Sequence, residues 1–224
     1  MFEAFHRFDG DDRLAVAILT GAGGTFCAGF DLKALASEPQ GYVTEDRGPM
    51  GPTRMSLSKP VLAAIEGYAV AGGLELALWC DVRIAARNAT LGVFNRRFGV
   101  PLIDLGTVRL PRMVGQGRAL ELILTGRPVG AEEALRIGLV ERLAEPGEAL
   151  ALAQKVARDI AAFPQSALRA DRKSVLEQWS LSPDDAARAE HRGGAEALAS
   201  GESQAGARRF ADGGGRHGQP ANPG

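Results

Sequence analysis

The sequence predicts an α/β protein whose strands are covered on both faces, and three observations predict it. Residues 14–19 (LAVAIL) and 60–65 (PVLAAI) are unbroken apolar runs of strand length, without the alternation of a half-exposed strand. Each run is followed by glycines, at 21, 23 and 24 and at 67, 72 and 73. Helix-like stretches open after those glycines, at 32–36 and 74–80. A chain of 224 residues suits one large domain with a substantial core.

In chain order, the first run is a buried strand entering a tight glycine loop, and Asp31 opens the helix-like stretch 32–36. Residues 39–52 hold Pro39, Pro49, Pro52, Gly41, Gly48 and Gly51, more breakers than a helix accepts, and read as a mobile loop. Residues 60–65 form the second strand, 74–80 a helix starting directly after the glycines, 82–86 a third strand, and 88–94 a turn with a short extended piece. Residues 116–124 read as a helix stopped by Gly126 and Pro128, and 131–137 as another with Gly138 just past its end. A last short strand covers 139–143. From residue 148 the pattern is helical and alanine-rich, with breaks at Pro164 and Pro183. The final stretch, 213–224, has almost no apolar content and reads as disordered.

Composition narrows the partners. With 26 Lys+Arg against 27 Asp+Glu, the formal charge of −1 supplies no footprint for nucleic acid or an anionic membrane. No apolar run approaches the roughly 18 residues of a membrane span. The first twelve residues carry Glu3, Asp9, Asp11 and Asp12 and no apolar signal core, so a cytoplasmic chain is expected. Cys27 and Cys80 have no metal-ligand spacing and read as two small hydrophobes, with a disulfide between them left open. His6, His191 and His217 lie near the ends of the chain, which leaves a Ser-His-Asp or Cys-His mechanism without a base. Chemistry falls to carboxylates, amides and backbone.

Several motif matches fail on inspection. The loop 21–26 follows a strand, but Phe26 stands where a dinucleotide fingerprint needs its third glycine. Ser56 and Lys59 match S-x-x-K without the companion motifs, and residues 115–117 (GQG) read as a helix-entry loop. Two segments survive, 25–32 (TFCAGFDL) and 67–77 (GYAVAGGLELA). In each, glycine adjoins a helix N-terminus, where unpaired N–H groups and the dipole suit an oxyanion. Taken singly, Gly29 and Gly72 have a plainer reading as close-packing glycines, with Asp31 as a helix cap.

Taken together, the segments resemble the crotonase superfamily, the enoyl-CoA hydratase/isomerase family. The resemblance runs in order through 18–21 (ILTG), 26–32 (FCAGFDL), 59–69 (KPVLAAIEGYA) and 72–81 (GGLELALWCD), then 99–101 (GVP), 106–107 (GT), 109–110 (RL) and 208–210 (RRF). It implies a crotonase-like spiral of ββα units over residues 1–165, a helical oligomerisation region over 166–211 that builds trimers or hexamers, and a disordered tail at 212–224. Members of the family usually have a further strand–helix segment before the first strand seen here, so that strand is expected to lack a pairing partner on one side.

The resemblance also implies a substrate and a site. An acyl-CoA thioester oxygen would lie between the peptide N–H groups of Phe30 and Gly72, with Ala28, Asp31 and Gly73 contacting substrate. CoA would arrive within the substrate, with no separate cofactor and no metal. Glu75 falls on one catalytic glutamate of the hydratases; its plainer reading is an acid in a helix first turn. Asn95 falls on the second, and an amide cannot gain or lose the proton that step requires. Asp104 lies one residue beyond Ile103, the position aligned with the acid of some isomerases and dehalogenases, and reads equally as a surface turn. The expected function is enoyl-CoA hydratase-like or isomerase-like chemistry in fatty acid metabolism, the isomerase using Glu75 or Asp104. The alternative is a shortened homologue that only binds acyl-CoA.

Overall fold

The computed structural model describes residues 1–37 and 47–215. Most of the loop expected at 39–52, and most of the tail expected at 213–224, lie outside the described residues. Four strands, β1 (Ala17–Thr20), β2 (Val61–Ile65), β4 (Val82–Ala86) and β7 (Arg142–Ala144), form a fully parallel sheet in the order β1-β2-β4-β7. A second sheet holds β3 (Tyr68–Val70), β5 (Thr90–Gly92) and β6 (Val129–Gly130), with β3 and β5 parallel and β6 antiparallel to β5. The first six helices are α1 (Phe2–Gly10), α2 (Leu32–Ser37), α3 (Gly72–Trp79), α4 (Gly106–Val114), α5 (Gln116–Thr125) and α6 (Ala131–Arg136). The chain continues through α7 (Ala149–Ala161), α8 (Gln165–Glu177), α9 (Pro183–Ala199) and α10 (Glu202–Ala211).

The unbroken apolar run of β2 has a direct physical cause. Val61, Ala63 and Ile65 join the core beneath α3, whereas Leu62 and Ala64 join a second cluster with Ala149, Ala153 and Val156 of α7. Successive side chains enter opposite cores, so neither face of the strand calls for polar residues. Among the described residues β1 pairs with β2 alone, which leaves it at the sheet edge.

Two buried cations hold this frame. Lys59 is 1% exposed, and its ammonium donates to the carbonyls of Phe8 (3.1 Å) and Asp11 (2.7 Å), tying the end of α1 to the foot of β2. Phe5 of the same helix packs edge-on against Trp79 at 4.8 Å. Arg83 in β4 donates to the carbonyls of Leu139 (3.1 Å) and Cys80 (2.7 Å) and pairs with Glu141, which is how an arginine survives inside an apolar strand.

The structure departs from the sequence reading in several places. Leu139 and Val140 do not begin β7, because the Ala134 carbonyl captures both of their N–H groups in the turn after α6. Helix α4 was not expected: Pro111 and the bounding glycines hide its apolar stripe of Leu110 and Val114. Gly115 is a single joint that ends α4 and begins α5, and Gln116 and Gly117 are already helical. Pro164 and Pro183 start helices α8 and α9 instead of merely breaking them, with the Ser182 hydroxyl accepting from the Asp185 N–H at 3.2 Å. Cys27 and Cys80 are both free thiols. Cys80 is the buried hydrophobe expected, its thiol pushed up by burial, whereas Cys27 is half-buried.

Candidate active site

The site forms where β3 hands the chain to α3. Cys27 makes an isolated parallel bridge to Ala69, its N–H donating to Tyr68 O (2.9 Å) while its carbonyl accepts from Val70 N (3.1 Å). This lays residues 27–30 alongside the start of α3. The approach is close: a Cβ on Gly73 would overlap the Cys27 carbonyl, and one on Gly29 would stand 2.9 Å from the Gly72 nitrogen. Gly29 also has φ +92°, a conformation that suits glycine. Gly29, the residue before Phe30, is thereby brought beside Gly72. The Gly72 N–H, at the first position of α3, donates to no acceptor among the described residues.

Asp31 and Ala28 are exposed. The Asp31 carboxylate accepts from the N–H groups of Lys33 (2.8 Å) and Ala34 (3.4 Å), so its side chain caps α2.

Glu75 lies in the first turn of α3 but is no surface acid, being 2% exposed. Its Oε1 accepts from the peptide N–H groups of Asp104 and Gly106, both at 2.8 Å, while Oε2 accepts from none among the described residues. Burial raises its pKa to about 7, against the lowering pull of those two N–H bonds; the Asp104 charge raises it further and Arg109 lowers it. A Cβ on Gly106 would stand 2.8 Å from Glu75 Oε1, so the glycine lets the peptide approach the carboxylate.

Asp104 is 2% exposed, which overturns the surface-turn alternative. Its Oδ1 accepts from the Thr53 hydroxyl and from the Met50 N–H at 3.1 Å. Arg109 bridges the same elements, Nη1 donating to Asp104 O (3.1 Å) and Nη2 to Thr53 O (2.6 Å). Asn95 sits in a 3-10 turn, Phe94–Phe98, directly beyond β5. The neighbouring Gly92 carbonyl accepts from the Ala71 N–H at 2.9 Å, so β5 ends beside the start of α3. Asn95 is 6% exposed; Nδ2 donates to Val100 O at 2.9 Å, and Oδ1 is buried with no partner among the described residues.

Sequence reading missed Thr53, Met50 and Arg109. Arg109 carried a faint signal, a cation one helical turn beyond a glycine-bounded acid; Thr53 and Met50 carried none. The non-glycine residues with positive φ among those described are Ala71 and Leu105, and both flank the site. Among the described residues no cluster of three or more His, Cys, Asp or Glu side chains could hold a metal, and no helix is long and apolar enough to cross a membrane. A cavity of about 620 Å³ lies elsewhere, between α8, α9 and residues 56–58, and shares no residue with this site.

The fold is that of the crotonases, and similarity to known proteins makes the chain an acyl-CoA-processing, hydratase-like lyase. Enoyl-CoA hydratase EchA1 from Mycobacterium marinum has the same fold, with a TM-score of 0.88 at 40% identity over 94% of this chain and 82% of that one. In sequence, enoyl-CoA hydratase EchA19 from Mycobacterium tuberculosis is 35% identical over 219 residues, covering 95% of this chain and 82% of that protein. The (E)-benzylidenesuccinyl-CoA hydratase of Thauera aromatica is 39% identical over 178 residues, 78% of this chain and 69% of that protein. The family model for enoyl-CoA hydratase/isomerase matches residues 1–216. The chain belongs to the enoyl-CoA hydratase/isomerase family.

Proposed function

We propose that the peptide N–H groups of Phe30 and Gly72 hold the thioester oxygen of an enoyl-CoA while Glu75 moves the proton. The observation that carries this reading is the state of Glu75: one oxygen is fixed by two peptide N–H groups and the other is left open, at a pKa of about 7, beside the Gly29–Gly72 contact. A carboxyl that titrates near neutrality serves equally as acid and base. In hydration Glu75 takes a proton from water, the hydroxide oxygen bonds to Cβ, and the C=C electrons move onto the thioester oxygen as an enolate. Two peptide N–H groups stabilise that charge, and loss of one such donor typically costs about 10²–10³ in rate. Collapse of the enolate returns the proton to Cα.

In this reading Ala28 and Gly73 line the thioester, Asp31 orients the turn that presents the Phe30 N–H, and CoA enters only as part of the substrate. Isomerisation is supported as a second reading by a specific observation: Asn95 is an amide, and a single carboxylate suffices to carry a proton between two carbons of one substrate. A homotrimer or hexamer is supported by the exposed Val175, Leu176 and Leu198 on α8 and α9. A cytoplasmic setting is supported by the two free thiols, and a place in fatty acid metabolism by the similarity to enoyl-CoA hydratases. The test follows the enone absorbance of crotonyl-CoA and related thioesters with purified protein and identifies the products. A hydroxyacyl or shifted-alkene product is expected. Binding without turnover would reduce the protein to an acyl-CoA carrier, and no binding at millimolar ligand would remove the reading altogether.

A further inference from the structure

We propose that Asp104 is a positioning residue that couples the 48–53 loop to Glu75, and that it carries no proton in the reaction. The proposal rests on the reading of Glu75 as the acid/base.

Asp104 faces two ways. Its peptide N–H, with that of Gly106, fixes Glu75 Oε1 at 2.8 Å. Its carboxylate points to the loop, where Oδ1 accepts from the Thr53 hydroxyl and the Met50 N–H. Both carboxyls have one oxygen held by two donors; what sets Asp104 apart is that its donors belong to the loop while its own peptide N–H helps to seat Glu75. Arg109 closes the bracket by donating to the carbonyls of both Asp104 and Thr53.

The loop is built around this carboxylate. Gly48 and Gly51 bridge each other across a tight turn, with Gly51 N donating to Gly48 O at 2.8 Å, and a Cβ on Gly48 would overlap both Asp104 Oδ1 and the Thr53 hydroxyl. The turn puts Met50 over the oxyanion side of the site: its Sδ lies 2.7 Å from where a Cβ on Gly72 would stand. Any shift of the loop therefore moves the wall above Gly72 and, through the Asp104 peptide, the seat of Glu75. The acyl group meets Met50 and Glu75 as one rigid unit.

The test compares Asp104→Asn, Asp104→Ala and Glu75→Gln with the natural protein on crotonyl-CoA, together with a carbon-13 NMR titration of the Glu75 carboxyl. The charged groups that face Glu75 among the described residues are Asp104 and Arg109. Asn keeps an acceptor for Thr53 and Met50 but removes the negative charge. Asp104→Asn is therefore expected to keep turnover within about tenfold of the natural protein, while the Glu75 titration moves to lower pH. Asp104→Ala loses the acceptor, and its KM is expected to rise several-fold above that of Asp104→Asn. Loss of turnover in Asp104→Asn as deep as in Glu75→Gln would make Asp104 a proton carrier and overturn the proposal. An unmoved Glu75 titration, or equal KM for the Asn and Ala variants, would overturn it too. A natural protein inactive on every enoyl-CoA would instead sink the underlying reading of Glu75, and the titration would still report the coupling.

Discussion

Gly29 and Gly72, 43 positions apart in the sequence, lie so close that a Cβ on the first would stand 2.9 Å from the peptide nitrogen of the second. That distance leaves no room for a side chain, and the φ of +92° at Gly29 is hostile to one in any case. Gly29→Ala should force the 27–30 segment away from α3 and separate the Phe30 and Gly72 N–H groups. Turnover is expected to fall by about 10²-fold or more, the weight of one oxyanion donor. Steady-state rates measured beside circular dichroism check this; full activity in a folded variant would show that the contact does not shape the oxyanion site.

The raised pKa of Glu75 has a consequence for stability. A carboxyl whose folded pKa lies above its unfolded value stabilises the fold fully only below the unfolded value, about 4.3, and that contribution is lost as pH rises through the folded value, about 7. Glu75→Gln keeps an oxygen to accept from Asp104 N and Gly106 N but never ionises. The variant should therefore gain on the natural protein between pH 5 and pH 8, by on the order of 3 kcal/mol at the upper end. Urea unfolding of both proteins across that range measures the difference. A gap that stays constant with pH would mean that Glu75 titrates at its ordinary value when folded.

How much of this was legible in the sequence depends on which atoms do the work. Gly29 and Gly73 announce themselves because a tight backbone approach leaves glycine as its trace. The position of Glu75 is readable because it lies on a helix whose start, expected at residue 74 and found at Gly72, the glycines mark to within two residues. Asp104 was ambiguous for the opposite reason: its peptide N–H holds Glu75, and a peptide leaves no mark in the sequence. Thr53 and Arg109, 56 positions apart, meet only in the folded chain, beyond the reach of local periodicity. The limits of β7 were missed because the competition for the Leu139 and Val140 N–H groups is decided by Ala134, in the helix before them.

Lys59 offers a test of the frame beneath the site. Its ammonium donates to the carbonyls of Phe8 and Asp11, each of which also accepts a backbone N–H, from Asp11 (3.3 Å) and Leu14 (3.0 Å) respectively. Lys59→Met fills a similar volume and supplies no donor. Both carbonyls keep their backbone partners, so the cost is that of two hydrogen bonds from a charged donor, about 1.5–3 kcal/mol each, offset in part by no longer burying an ammonium. A net loss of roughly 2–4 kcal/mol is expected in chemical denaturation. Hydrogen exchange should place the damage in α1, with faster exchange there than in β2. Uniform exchange across the fold would mean that Lys59 is no local clamp.

Asn95 is the residue that departs most from two-carboxylate hydration. Its Nδ2 is committed to the Val100 carbonyl, and its buried Oδ1 has no partner among the described residues, so it can accept a hydrogen bond but never deliver a proton. In the proposed mechanism Glu75 then takes the proton from water and returns it to Cα by itself. Slow hydration of simple enoyl-CoAs is expected from the natural protein, and Asn95→Glu should increase it. The substitution adds a methylene and a charge at a position 6% exposed, and it forfeits the bond to Val100. A thermal melt must therefore accompany the rate measurement. The pH profile separates the mechanisms: one carboxylate acting as base gives hydration that rises with pH through about 7 and then levels, whereas a second carboxylate acting as acid adds a falling limb and makes a bell. Brisk hydration by the natural protein would show that another group already fills the second role. A folded Asn95→Glu protein with neither added rate nor a second limb would show that residue 95 does not face the substrate.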